Sequence, residues 1–280
     1  MIGAVVYLLR AESSAGLIAF HGRLMHAAAF SLLEQCSEEL SAAVHDNMNS
    51  KPFTVSLLKR VTEQNGKGRG FGVKAGKERK FEVKKGELYL WRVTATHEAL
   101  LKAFIDVPKG TKVEVGRAQL IVEDIIADGS MESGVVSEND MIAWALSQNR
   151  VDSVTFRFIS PVSFRNFDRD YPFPLAEFVF ASLADKWNQA GMPAAIDRVA
   201  VKESAKAVRL LDWKGESRKV YFSPDRGMLA FQGTFTYELN VLPVEMQQIF
   251  LLLAQFAEFS GVGRLTGQGF GSARVRVEFK

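Results

Sequence analysis

The sequence predicts an α+β protein built from two tandem ferredoxin-like domains, residues 1–145 and 146–280, each running β-α-β-β-α-β. Three observations lead there. In the first half, short strand-like apolar runs alternate with two stripes at helical spacing. The same order returns in the second half. Two polar runs, Asp128–Gly134 and Ser147–Asp152, lie between the halves. With 280 residues, 47% hydrophobic and 24% charged, the composition is that of a globular chain able to bury such cores.

The elements follow in order. Val5 to Leu9 is a strand. Leu24, Met25, Ala28, Leu32, Cys36, Leu40 and Val44 recur at spacings of three and four, the stripe of an amphipathic helix starting near Arg23. Ser37 followed by Glu38 and Glu39 also reads as an N-cap with an acidic first turn, so one rod and two helices with a break both fit. Phe53–Leu58 and Leu88–Val93 are strands, His97–Phe104 is a helix with Thr96 as N-cap, and Lys112–Ile126 is strand material. In the second half come a strand at 153–159, a helix from Pro174 to Asn188, strands at 206–222 and 228–239, a helix from Pro243 to Phe259, and a last strand from Ala273 to Phe279. The repeat is architectural, without residue-level self-similarity.

Composition excludes several classes. The longest apolar run, Ile249–Ala254, is too short to span a bilayer, and the N-terminus lacks the basic lead-in of a secretory leader, so a cytosolic protein is expected. One cysteine, Cys36, leaves no internal disulfide, and four scattered histidines offer little to a metal; neither a metal nor a cofactor is expected. The net charge of +3 is mild but uneven. Residues 59–85 hold ten basic side chains, among them Lys59, Arg60, Lys67, Arg69, Lys74 and Lys77, against three acids, so the remainder is net acidic. Interleaved with glycines, this segment reads as a cationic hairpin able to follow a phosphate backbone, although charge runs are commonly just solvated.

A second glycine-rich segment, Gly261-Val-Gly263-Arg264-Leu-Thr-Gly267-Gln-Gly269-Phe-Gly271, joins the last helix to the last strand. Its order is the reverse of a dinucleotide fingerprint and it lacks the Gly-Lys-Ser/Thr of a P-loop. It reads either as a flexible turn or as a nest of backbone N–H groups for an RNA phosphate, with Arg264 favouring the latter. Of the histidines, His21 and His97 look like ordinary structural residues. His45 is placed at a helix end in a short connection, six residues before Lys51, where a proton carrier beside an anionic substrate is useful.

The segment His45-Asp-Asn-Met-Asn-Ser-Lys51-Pro-Phe53-Thr54-Val-Ser56-Leu57 resembles the His-(x)5-Lys-x-Phe-Thr-x-Ser-Leu segment of the CRISPR repeat-RNA endoribonucleases. Phe158-Ile-Ser160-Pro161-Val-Ser-Phe164-Arg165 is similar to that family's Ser-Pro motif, and Gly261–Val275 to its glycine-rich loop and last strand. The resemblance implies a metal-independent enzyme that cuts the precursor transcript once within the repeat. Attack by the 2′-hydroxyl would leave a 2′,3′-cyclic phosphate and a 5′-hydroxyl. It further implies His45 as general acid or base, Lys51 as the cation at the phosphate, and Ser56 as a positioning hydroxyl. Some family members carry a tyrosine fifteen residues before the histidine; here that position is Phe30, which transfers no proton. His26, one turn earlier on the same face, is the natural substitute, its rival reading being a partly buried helix histidine. On a continuous helix the two histidines would stand about 28 Å apart, so they share a site only if the chain folds back near Cys36-Ser37. Arg165, Arg264 and Arg274 are expected RNA contacts, whereas Phe156, Phe158 and Phe235 are more in keeping with core than with base stacking. The expected partner is CRISPR repeat RNA. A non-catalytic RNA-binding subunit of a CRISPR effector complex is the alternative, and membership of an interference complex and homodimerisation stay open.

Overall fold

A computed structural model describes residues 1–46, 51–61, 80–223 and 226–280, with the backbone alone at 45, 46, 222 and 223. The first half comprises β1 (Ile2–Ala11), β2 (Ala15–Leu17), α1 (Gly22–Cys36), α2 (Glu38–Asp46), β3 (Phe53–Val55), β4 (Lys59–Arg60), β5 (Phe81–Val83), β6 (Leu88–Ala95), α3 (Glu98–Ile105), β7 (Lys112–Val115), β8 (Ala118–Ile126) and β9 (Gly134–Val136). After α4 (Glu138–Ser147) the second half runs β10 (Val151–Val162), β11 (Phe164–Asn166), β12 (Arg169–Tyr171), α5 (Ala176–Gln189), α6 (Arg198–Ala205), β13 (Arg209–Ser223), β14 (Arg226–Glu238), α7 (Val244–Ser260) and β15 (Ala273–Phe279).

Each half forms an antiparallel sheet of the same topology. The first has the order β3-β6-β1-β8-β7 and the second β13-β14-β10-β15. Counting only the four main strands of each half, both read second-third-first-fourth, the arrangement of two ferredoxin-like domains. Because β1 is central, it pairs with both β6 and β8 and extends beyond the expected Val5–Leu9. Helices α1 and α3 cover one face of the first sheet, burying Met25, Ala28, Ala29, Leu32, Leu33, Leu100, Leu101 and Phe104 against Tyr7, Leu9, Trp91 and Val93. In the second domain the alternation of Val154, Phe156 and Phe158 points all three into the core with Phe235, consistent with their reading as core aromatics. The helix α4 spans residue 145 and buries Met141 and Ala145 in this second core.

Several local expectations change. The helical stripe does break at Ser37, whose backbone is extended; its N–H donates to the carbonyl of Leu33, closing α1, and its hydroxyl accepts from the N–H of Leu40, opening α2. One residue thus ends one helix with its backbone and starts the next with its side chain, a cap worth about 1 kcal/mol. The N-cap of α3 is His97 rather than Thr96, because the Thr96 hydroxyl donates to the carbonyl of Pro52 instead. The strand at Phe53 stops at Val55, where Ser56 turns its hydroxyl onto the backbone of β6. The run 112–126 is a hairpin turning at Gly116, and α6, capped by Asp197, is an element that sequence periodicity did not reveal. Among the described residues no helix is long and apolar enough to cross a membrane.

Candidate active site between the domains

The glycine-rich segment leaves α7 and crosses to the first domain, where Thr266–Gln268 form a single 3-10 turn. The carbonyl of Gly267 lies 2.7 Å from Nδ1 of His26. A carbonyl only accepts, so Nδ1 carries the hydrogen and the neutral ring has its lone pair at Nε2. The ring is held from its sides as well: Phe53 stacks on it at 5.5 Å, and Phe30 meets it edge-on at 4.9 Å. Phe30 therefore buttresses the histidine next to it, a packing role that needs no hydroxyl.

Lys51 reaches the same place from the loop before β3. Its ammonium donates to the carbonyl of Val44 at 2.8 Å and lies 5.8 Å from the centre of the Phe30 ring. That bond ties Lys51 to the last turn of α2, favourable for a cation at the negative end of a helix. A Cβ built on Gly267 would sit 3.5 Å from both His26 Nδ1 and Lys51 Cβ. His26, Lys51 and Gly267 are thus brought together at one point. His45 is in the last turn of α2, next to the Val44 carbonyl that Lys51 engages; its side chain lies outside the described atoms. The fold-back at Ser37 is what returns α2 toward α1.

Glycine is required at one position where the two domains approach and at another inside the loop itself. A Cβ on Gly22, at the start of α1, would lie 2.0 Å from the carbonyl oxygen of Gln268. One on Gly271, where φ is +67°, would lie 1.9 Å from the carbonyl oxygen of Val262. The segment is also pinned at its entrance. Arg92 of β6 donates to the carbonyls of Glu132 (2.7 Å) and Glu258 (3.2 Å), and the Thr94 hydroxyl donates to the carbonyl of Phe259. First-domain donors therefore satisfy carbonyls at the end of α7, which otherwise lack intrahelical partners. Burial and the nearby Arg274 push the Arg92 guanidinium down to about 9, still charged at neutral pH.

Model-based matching places residues 4–138 in the CRISPR Cas6 N-terminal domain and residues 156–273 in the CRISPR-associated endoribonuclease Cas6 model. The chain belongs to the Cas6 family. It is accordingly an endoribonuclease of CRISPR repeat processing. Among solved structures, a product complex of Thermus thermophilus Cas6 (TTHB231) is 25% identical with a TM-score of 0.76, covering 99% of both chains. The Cas6 (TTHA0078) product complex is 22% identical with a TM-score of 0.70, covering 98% of this chain and 99% of that one. A Cas6-related protein from Pyrococcus furiosus is 11% identical at a TM-score of 0.61, covering 99% of both. The last two show the shared fold alone. No curated protein matches the sequence.

The remaining residues expected to serve a Cas6 chain fall elsewhere. The Ser56 hydroxyl is occupied by the sheet, accepting from the N–H of Arg92 and donating to the carbonyl of Leu57. The glycines expected to form a phosphate nest are engaged within the protein. Four glycine N–H groups already have protein acceptors: Gly261 donates to Ala257, Gly263 to the Ser182 hydroxyl, Gly269 to Thr266 and Gly271 to Pro161. Their glycines serve close packing of chain on chain. Arg165 pairs with Asp168 at 2.7 Å, Arg264 with Asp170 at 2.6 Å, and Arg274 with Glu132, so each expected RNA contact has a carboxylate partner. Such partly exposed pairs contribute about 0–1 kcal/mol, little enough for a phosphate to replace the carboxylate. Lys59 is exposed on β4, while Arg60 donates to the carbonyl of Glu82 and pairs with Glu87 at 2.6 Å. Lys67, Arg69, Lys74 and Lys77 lie outside the described residues. Among the described residues, no three imidazole, thiol or carboxylate groups gather as a metal site would require.

His21 matches its reading as a structural residue. It is buried, its Nε2 accepts from the N–H of Leu58 at 2.9 Å, and burial lowers it to about 4. Residues that sequence reasoning missed are Phe53 as the stacking wall, Gly22 as the contact point, and Thr266 with Lys186 beside it. Phe53 and Thr266 stood inside quoted motifs, whereas Gly22 and Lys186 carried no local signal.

Proposed function

We propose that this chain cleaves CRISPR precursor transcripts within the repeat, without a metal, by attack of the 2′-hydroxyl on the adjacent phosphorus. The P–O bond to the 5′-oxygen breaks, leaving a 2′,3′-cyclic phosphate and a 5′-hydroxyl. The reaction needs a base for the 2′-hydroxyl proton, an acid for the leaving oxygen, and a cation for the charge on the pentacoordinate phosphate. His45 and His26 fill the first two roles and Lys51 the third. The observation that supports this is the meeting of His26, Lys51 and the Gly267 carbonyl at one point between the domains. The carbonyl selects the tautomer with Nε2 basic, as a proton acceptor requires, and a protonated ring would keep the same bond while donating from Nε2. The TTHB231 relative is a product complex, which favours repeat RNA as partner here too.

The test is incubation with labelled repeat RNA in excess EDTA, beside a substrate with a 2′-deoxy nucleotide upstream of the cut. Cleavage of the first and survival of the second is the expected result. Binding of both with cleavage of neither would leave an RNA-holding subunit and overturn the catalytic assignment.

A further inference from the structure

A second lysine faces the cleft that Lys51 lines. The wall of this cleft is formed by Lys51, Pro52, Phe53, Thr54 and Thr96 from the first domain and by Lys186, Gln189, Ala190 and Ser260 from the second. Among the described residues it contains two lysines and no carboxylate. Lys186, near the end of α5, donates from its ammonium to the hydroxyl of Thr266 at 2.9 Å. Thr266 is the residue before Gly267, so the single turn 266–268 meets Lys186 at its first residue and Lys51 with His26 at its second.

A lysine in such a place ordinarily has a carboxylate beside it, since a partly desolvated ammonium with only a neutral partner is unfavourable. The carboxylate next in sequence, Asp185, is instead engaged by Arg198 at 2.8 Å. Among the described residues, the hydrogen-bond partner of the Lys186 ammonium is a hydroxyl. Burial lowers its pKa to about 8, the direction an approaching anion would reverse.

We propose that Lys186 and Lys51 form a two-domain clamp on an RNA backbone phosphate, closing across the turn at Thr266–Gly267. This rests on the repeat-RNA reading above and adds to it a charge contributed by the second domain. The Thr266 hydroxyl holds the ammonium in place before RNA arrives. The phosphate then completes a cationic cleft whose two halves belong to different domains, so RNA binding and domain docking favour each other.

The clamp is tested by the salt dependence of binding, which counts phosphate contacts, using repeat RNA made uncleavable by the 2′-deoxy substitution. A Lys186→Met variant should bind about 5- to 10-fold more weakly near physiological salt. Its slope of log affinity against log salt should fall by about 0.7 to 1, the loss of one phosphate contact. Lys186→Arg should keep the wild-type slope. Thr266→Val, which removes the hydroxyl and leaves the charge, should also keep it. A merely structural role would lower the fraction of binding-competent protein without moving the slope, so an unchanged slope in Lys186→Met overturns the clamp. Should that variant fail to fold, Lys186→Gln is read in the same way. Absence of repeat-RNA binding by the unaltered protein would instead overturn the functional reading, and the clamp with it.

Discussion

The imidazole of His26 and the carbonyl of Gly267 are separated by 241 residues in the chain and by 2.7 Å in space. The bond joins the first helix of one domain to the last loop of the other and fixes which ring nitrogen holds the hydrogen. His26→Ala should therefore lower single-turnover cleavage by about 100-fold or more, with RNA affinity within a few-fold. His26→Asn separates the roles. Its amide can donate to the same carbonyl but cannot shuttle a proton, so it should recover thermal stability and not rate. An asparagine variant that cleaves normally would remove His26 from the chemistry.

Gly22 provides a second test of the same contact. Alanine favours a helix over glycine by about 1 kcal/mol, so on propensity alone Gly22→Ala should stabilise α1. The added Cβ would meet the Gln268 carbonyl oxygen at 2.0 Å, and backbone cannot swing aside as a side-chain end can. The turn must shift, and the Gly267 carbonyl shifts with it. The expected outcome is cleavage reduced at least 10-fold with RNA binding weakened less, measured under single turnover. Unchanged kinetics would mean that the turn tolerates displacement.

What was legible in the sequence was whatever local patterning encodes. Ser37-Glu38-Glu39 announces a cap, and a cap in mid-stripe is a break; the structure has one there. The alternation of Val154, Phe156 and Phe158 fixes a buried strand face in the same way. The glycine spacing announced an unusual backbone, but not what it approaches. A glycine is equally necessary beside a phosphate or beside another carbonyl, and at Gly271 it is the latter. The arginines show the same limit. Nothing near Arg274 in sequence indicates Glu132, nor near Arg264 indicates Asp170, because those partners arrive through tertiary packing. Lys186 was unreadable for that reason: on its own helix it is one more basic residue in a last turn.

Arg92 shows how the first domain holds the second. Its guanidinium bonds the carbonyls of Glu132 and Glu258, and it is half-buried. Arg92→Met fills similar volume but leaves both carbonyls without their charged donor, a loss of about 2 to 3 kcal/mol. Urea denaturation should show a lower midpoint. A fall below about 0.5 kcal/mol would mean that water replaces the arginine at no loss.

His21 sets a pH limit on the first domain. Its native pKa is depressed to about 4 from an unfolded value near 6.5, because the imidazole is buried and Nε2 accepts from the Leu58 N–H. Above pH 6.5 neither state is protonated there, and its contribution is fully present. Between about 6.5 and 4 the unfolded chain takes up a proton that the native one refuses, so stability declines as pH falls, at most on the order of 3 kcal/mol across the window. Protonation would also abolish the acceptor that Leu58 uses, and Leu58 lies in the connection from β3 to β4, beside the segment that carries Lys51 and Phe53. The loss should therefore appear in unfolding free energies measured by urea at pH 7.5 and 5. His21→Phe, less stable at pH 7.5, should show a flatter dependence over the same interval. Equal slopes in the two proteins would assign the acid sensitivity to other groups.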